Sequence, residues 1–214
     1  MNDLKVVKAL ITCYLFAVLG MDGVQAQYDF CSVAPTGQML YFQWHPGTQD
    51  VSVTHPEKEW PYYAGNKPVG DLEIPDSVQH DGVVYKVVGV GENAFYRCDS
   101  LKSFSGKGIF YVGTQSFCGC TMLETIAFDD SLRRVGEGAF AYCGQLTKLV
   151  LPTGVGSIGI SAFSMCGGLE EVWLPVEVEK LCDAMTFYGC SLMHERKNRK
   201  IESVDGVEYA VWKR

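Results

Sequence analysis

Phenylalanine recurs in this chain at Phe95, Phe117, Phe140, Phe163 and Phe187, at steps of 22, 23, 23 and 24 residues. Each is followed three residues later by cysteine: Cys98, Cys120, Cys143, Cys166 and Cys190. Five residues ahead of the first four Phe stand Val90, Val112, Val135 and Ile158, each followed by a glycine, Gly91, Gly113, Gly136 and Gly159. In the fifth unit Leu181 and Cys182 take those places, one residue further from Phe187. A second apolar comb follows the first four cysteines: Leu101 and Phe104, Leu123 and Ile126, Leu146 and Leu149, Leu169 and Val172, extended by Phe128, Leu151 and Leu174. Units of roughly 20 to 29 residues cannot bury their own apolar face, so a chain with this register must stack its units into a solenoid.

Local patterns assign structure within a unit. LTKLVLP, from Leu146 to Pro152, predicts a short strand, because apolar positions alternate at Leu149 and Leu151 and Pro152 stops it. GEGAFAYC, from Gly136 to Cys143, predicts a tight turn running into a short helical or 3₁₀ segment on the opposite side. Its glycines are expected to permit the bend, and Phe140 and Cys143 to face inward at i, i+3 spacing. Upstream, QMLYFQW (38–44) and DVSVTH (50–55) read as strands separated by His45, Pro46 and Gly47. DLEIPDSV (71–78) matches the end of a repeat, and Asp81-Gly82 marks a hairpin inserted before the register resumes at Val90. At the other end, IESVDGVEYAVWKR carries Asp205-Gly206 between apolar runs and predicts a final capping hairpin, while SLMHERKNRK replaces the strand expected after Cys190.

The string LTKLVLPTGVGSIGISAFSMC resembles the BspA-type leucine-rich repeats of bacterial surface proteins, and the resemblance covers about residues 72–192. The spaced Tyr, Pro and Gly of YYAGNKPVGDLEIP is similar to the leader of such proteins from Bacteroidetes. The expected fold is therefore a leucine-rich-repeat solenoid of short parallel β-strands plus short helical or 3₁₀ segments, with an N-terminal β-hairpin cap. Residues 27–71 would form that cap, 72–192 the repeats, and 193–214 a basic loop and capping hairpin.

Residues 1–26 begin with Lys5 and Lys8, continue with an apolar run of 11 residues from Ala9 to Leu19, and end in small residues at Val24 and Ala26. This is a signal peptide pattern, with cleavage expected after Ala26. The run is short of the roughly 20 residues that span a bilayer, so no transmembrane segment is expected after cleavage. Cys13 lies inside the run and Cys31 follows charged and aromatic residues, which argues against a lipid anchor. Eighteen Lys plus Arg against 25 Asp plus Glu leave a net charge of −7, an argument against nucleic-acid binding.

Candidate chemistry is sparse. GVGENA (89–94) fits a dinucleotide fingerprint, but Gly91 and Ala94 align with Gly136 and Ala139 of a later repeat and no βαβ unit follows. SGKG (105–108) lacks the rest of a phosphate loop. The cysteine column is expected to be packing rather than a metal or redox site, because a residue repeated in every coil fills a structural slot. Cys31, Cys118 and Cys182 lie off the column, and Cys118 and Cys182 are expected to be exposed. His45, His55, His80 and His194 are expected at loops and strand edges, and no catalytic constellation, cofactor or metal site is expected. The basic run His194, Arg196, Lys197, Arg199 and Lys200 reads as a solvated loop or as a surface attracting anionic glycans or lipid headgroups.

Residues between the inward apolar positions of the strands project from the concave face of such a solenoid: Ser103 and Ser105, Thr125 and Ala127, Lys148 and Val150, Glu171 and Trp173. Trp173 is the leading ligand-binding residue, because an indole between two inward positions has no packing reason to be there; the alternative is that it covers the apolar edge where the fifth unit degenerates. Thr125, Lys148 and Glu171 would be polar partners or a solvated strand face. The resemblance implies an exported, non-catalytic, adhesin-like protein of a Gram-negative bacterium, binding a protein or glycan of the host extracellular matrix or of another bacterium. The alternative is an accessory envelope protein, periplasmic or at the surface, that binds a partner of the same cell.

Overall fold

The computed structural model describes residues 27–63, 67–194 and 199–214. The signal-peptide segment 1–26 lies outside them, as do Arg196 and Lys197 of the basic run. The described chain opens with β1 (Phe30–Val33), β2 (Met39–Trp44) and β3 (Asp50–Thr54), each antiparallel to the next. It continues with β4 (Gly70–Ile74), then β5 (Ser77–His80) and β6 (Val83–Val90), which form the hairpin turned by Asp81 and Gly82, both at positive φ. Four coils then supply β7 (Leu101–Gly106), β8 (Tyr111–Val112), β9 (Thr125–Phe128), β10 (Arg134–Val135), β11 (Lys148–Val150), β12 (Ser157–Ile158) and β13 (Glu171–Pro175). The chain closes through α1 (Val176–Glu179), α2 (Ser191–His194) and the hairpin of β14 (Arg199–Val204) with β15 (Val207–Lys213).

Three hydrogen-bonded ladders run along the stack. On the strand face β4, β7 and β9 are parallel neighbours, as are β11 and β13. On another side β3, β6, β8, β10 and β12 pair in parallel through the Val/Ile-Gly segments, so the cap and the repeats share one sheet. The segments expected to be helical or 3₁₀ are instead consecutive turns. Alternate N–H groups bond three residues back, as in Tyr96 to Asn93 and Cys98 to Phe95, while the intervening ones reach the next coil, as in Phe95 to Ser116 at 2.7 Å and Arg97 to Cys118 at 2.8 Å. A helix would direct every N–H along its own axis and leave no bond for the neighbouring coil.

The repeat register explains itself in packing. Phe95, Phe117, Phe140 and Phe163 are wholly buried, and with Phe187 they form one stack with centroids 5.0 to 5.4 Å apart. Each such ring contributes about 1.5–3 kcal/mol by leaving water. The column cysteines are free thiols, buried behind the rings. The last four donate their S–H to the Phe carbonyl of the preceding coil: Cys120 to Phe95 at 3.1 Å, Cys143 to Phe117 at 3.3 Å, Cys166 to Phe140 at 3.2 Å and Cys190 to Phe163 at 3.0 Å. The repeated glycines serve close approach: a Cβ on Gly136 would lie 2.6 Å from the Gly113 carbonyl carbon, and one on Gly113 would lie 2.7 Å from that of Gly91. The left-handed backbone falls elsewhere, two residues either side of Phe, at Asn93 and Arg97, Gln115 and Gly119, Gly138 and Tyr142, Ser161 and Met165.

Three expectations are corrected. Cys118 is buried, because the position after Phe is enclosed by adjacent coils, as Ala141 and Ser164 are in theirs; Cys182 is half-buried. His55 is buried rather than at an open edge: its ring lies 4.4 Å from that of Tyr62 and its Nδ1 is 2.5 Å from the Glu57 carbonyl oxygen. Burial pulls its pKa below the ordinary imidazole value. Arg199 of the basic run is no free charge, since its guanidinium grips the Glu179 carboxylate at 2.7 and 2.5 Å.

Candidate functional site

The strand face is where side chains stand free of the core. On β9, Thr125 and Ala127 are exposed, and on β11 so are Lys148 and Val150. Between these two strands the parallel ladder is interrupted, and Thr147 links them by donating its N–H at 3.3 Å and its hydroxyl at 3.4 Å to the Glu124 carbonyl. After Phe128 the chain runs into Asp129 and Asp130 where the next unit has Pro152 after Leu151, and a cleft of about 370 Å³ opens between the strands. Thr125, Ala127, Asp130, Lys148, Val150 and Tyr209 line it. It combines an apolar floor, both charges and one aromatic edge, which suits a mixed polar and apolar surface from a partner.

Tyr209 arrives from the terminal hairpin. β15 lies antiparallel against β13, pairing Glu171 with Lys213, Trp173 with Val211 and Pro175 with Tyr209. The predicted hairpin therefore completes the strand face instead of merely closing the stack. DG-turn chemistry predicts the hairpin, but nothing in its local sequence predicts its docking register, so Tyr209 is absent from the sequence-derived set.

Trp173 borders the cleft through Tyr209 and does not line it. Its ring meets the Tyr209 ring edge-on at 5.7 Å, and the Lys213 ammonium sits over it at 4.3 Å from the centroid. The indole N–H donates to Glu171 Oε1 at 2.7 Å, while Glu171 Oε2 pairs with Lys148 at 2.9 Å and Lys213 reaches both Glu171 at 3.6 Å and Glu202 at 3.3 Å. The Lys148 ammonium and then the indole N–H hold the Glu171 carboxyl below its usual value of 4.5. Trp173 is thus half-buried and clamped by its own neighbours.

The sequence-derived set divides in space. Thr125, Lys148 and Val150 meet at the cleft, and Glu171 and Trp173 form the adjoining charged cluster. Ser103 and Ser105 stand on β7, paired with Thr125 and Ala127 of β9 but outside the lining of the cleft, and Ser103 Oγ donates to Asp71 Oδ1 at 2.6 Å. Three of the column cysteines offer little chemistry: burial pushes the Cys98 thiol up to about 12 and raises Cys120 and Cys143 as well, so these three stay protonated and unreactive at neutral pH, whereas the hydrogen bond with Cys166 lowers Cys190. Among the described residues no three His, Cys, Asp or Glu side chains are grouped to hold a metal ion.

Sequence comparison identifies the repeat. The BspA type Leucine rich repeat region matches residues 88–207, in six copies. This chain belongs to the BspA-type leucine-rich-repeat family. Two crystal structures resemble this BspA-type protein. A leucine-rich repeat protein of T. pallidum is 31% identical with a TM-score of 0.51, the match covering 61% of this chain and 56% of that one. One from Bacteroides ovatus is 23% identical with a TM-score of 0.55, covering 68% and 41%. This BspA-type chain thus spans about half the length of these two solved relatives or less. A search of curated proteins finds no match.

Proposed function

We propose that this BspA-type protein is an exported, non-catalytic recognition protein of the bacterial surface, and that its cleft between β9 and β11 seats a segment of a protein partner. The observation that carries the reading is the cleft itself: an interruption of the ladder leaves Val150 and Ala127 exposed beside Lys148 and Asp130, under the edge of Tyr209. A solenoid with only a stacking role gains nothing from exposing Val150, which is 42% accessible. The charged network around Trp173 fixes the wall before a ligand arrives, which lowers the ordering cost of binding. The signal-peptide pattern of residues 1–26 supports export, and among the described residues no helix is long and apolar enough to cross a membrane. Adhesin-like contact with a host matrix protein or another bacterium is the leading role, and a same-cell envelope partner is the other.

The test is binding of the protein, produced without residues 1–26, to immobilised extracellular-matrix proteins and to envelope extracts of the same bacterium. Val150→Asp and Tyr209→Ala should each weaken capture by about tenfold or more, as expected for residues central to a contact. Trp173→Ala should have a smaller effect, exerted through Tyr209. Unchanged capture by Val150→Asp and Tyr209→Ala together would remove the cleft from consideration. Added protease separates the two roles, since it should degrade an outward-facing protein on intact cells and spare a periplasmic one.

A further inference from the structure

A second pocket, sharing no lining residue with the cleft, lies where the loop after β3 meets the first coil. Its volume is about 240 Å³, and Trp60, Tyr62, Lys67, Tyr96, Arg97 and Asp99 supply its walls and rim. Trp60 is 63% accessible, an exposure that gives an indole no packing benefit. Its surroundings are held in place from several sides. Tyr63 is buried beneath, and its hydroxyl donates to the Ala94 carbonyl at 2.6 Å, tying the loop to the first turn of the array. Tyr62 is fixed between His55, with ring centroids 4.4 Å apart, and Tyr96, which it meets edge-on at 5.8 Å. On the rim the Lys67 ammonium bonds the Arg97 carbonyl at 2.8 Å and Asp99 Oδ1 at 3.2 Å. Among the described residues Arg97 makes no ion pair, so its guanidinium is left to solvent or a ligand.

We propose that this pocket is a saccharide-binding site that accepts one pyranose ring. Three features select that class. The volume is below the range of about 300 Å³ and upward that holds drug-sized molecules, so a single ring fits and a peptide strand or helix does not. The aromatic walls offer π faces whose negative charge attracts the polarised C–H groups along one face of a sugar. The rim then sets a fixed carboxylate and two cationic donors at the edge of that platform, the pairing that sugar hydroxyls need, since each both donates and accepts. A bare hydrophobic side chain would make no use of those rim groups, and a small anion none of the indole. The site is independent of the strand-face cleft.

Nuclear magnetic resonance titration tests this on the protein produced without residues 1–26, with methyl β-glucoside, methyl β-galactoside, N-acetylglucosamine, glucuronic acid and N-acetylneuraminic acid as probes and N-acetylphenylalanine amide as counter-probe. At least one sugar should shift the Trp60 indole N–H resonance with millimolar affinity. Trp60→Ala should weaken that sugar by about tenfold or more, Trp60→Phe should retain most of the binding, and Tyr209→Ala should leave it unchanged. Because Trp60 is exposed, the variants should fold normally, which circular dichroism verifies. A glucuronic or neuraminic acid that binds best and loses its advantage in Arg97→Gln would place its carboxylate on the guanidinium. The proposal is overturned if no sugar moves the Trp60 resonance, if Trp60→Ala binds as tightly as the parent, or if the phenylalanine probe alone occupies the pocket.

Discussion

Gly136 and Gly144 sit eight residues apart in one coil, and neither has a positive φ, yet they should answer the same substitution in opposite ways. A Cβ on Gly136 would strike the backbone of the preceding coil at 2.6 Å, whereas one on Gly144 would meet nothing within 4 Å. Backbone cannot swing aside as a side chain can, so Gly136→Ala should force the two coils apart and cost about 1–3 kcal/mol. Gly144→Ala should be neutral or stabilise by about 0.4–1 kcal/mol, because alanine narrows the unfolded ensemble. Urea midpoints of the two variants measure this, and equal shifts would refute the close-packing role. The Val/Ile-Gly register is plain in the sequence, but its purpose is not. A repeated glycine reads as a bend as readily as a close approach, and only the distance between coils tells them apart. The cysteine column reads as packing in the sequence, while the S–H bonds that four of its thiols give to Phe carbonyls depend on the stacking offset.

Elements that pair through charge should loosen selectively in acid. Lys148 on β11, Glu171 on β13 and Lys213 on β15 form one line of cross-strand pairs, with Glu202 of β14 at its end. The folded-state pKa of Glu171 is depressed, first by Lys148 and then by the Trp173 N–H, so its stabilisation is present above the unfolded value of 4.5 and is lost as pH falls through the lower folded value. The side chains are partly exposed and the energy modest. The expected sign is clear: from neutral pH to below about 4, Trp173 fluorescence should change and amide exchange in β15 should quicken before the Phe stack opens. In Glu171→Gln this early transition should disappear, and its persistence would show that another carboxylate controls the hairpin. Strand positions and both DG hairpins are readable from alternation and turn chemistry. Tyr209 at the cleft is not, because the register of one element docked on another is set by side chains distant in sequence.

The terminal hairpin has two roles at the scale of the whole molecule, as a wall of the strand face and as the end of a stack whose fifth unit lacks its own strand there. After Cys190 the chain forms α2, and the edge of β13 is covered by β15 instead. Ala210, Val211 and Trp212 are buried in that position, next to Val172 and Leu174, which are fully buried. A solenoid without a terminal cap presents core and an open strand edge together, the combination that drives edge-to-edge association. Removing residues 199–214 should therefore lower the melting temperature by about 10 °C, as a loss of a few kcal/mol does in a domain of this size. It should also add concentration-dependent association, visible by light scattering as a rise over the parent. The saccharide pocket beside Trp60 lies at the opposite end of the array, and stability in a repeat stack is a sum of neighbour terms, so sugar binding at low temperature should survive the truncation while capture through the cleft is lost. A truncated chain that associates no more than the parent and keeps its melting curve would mean that β13 can end the stack unaided.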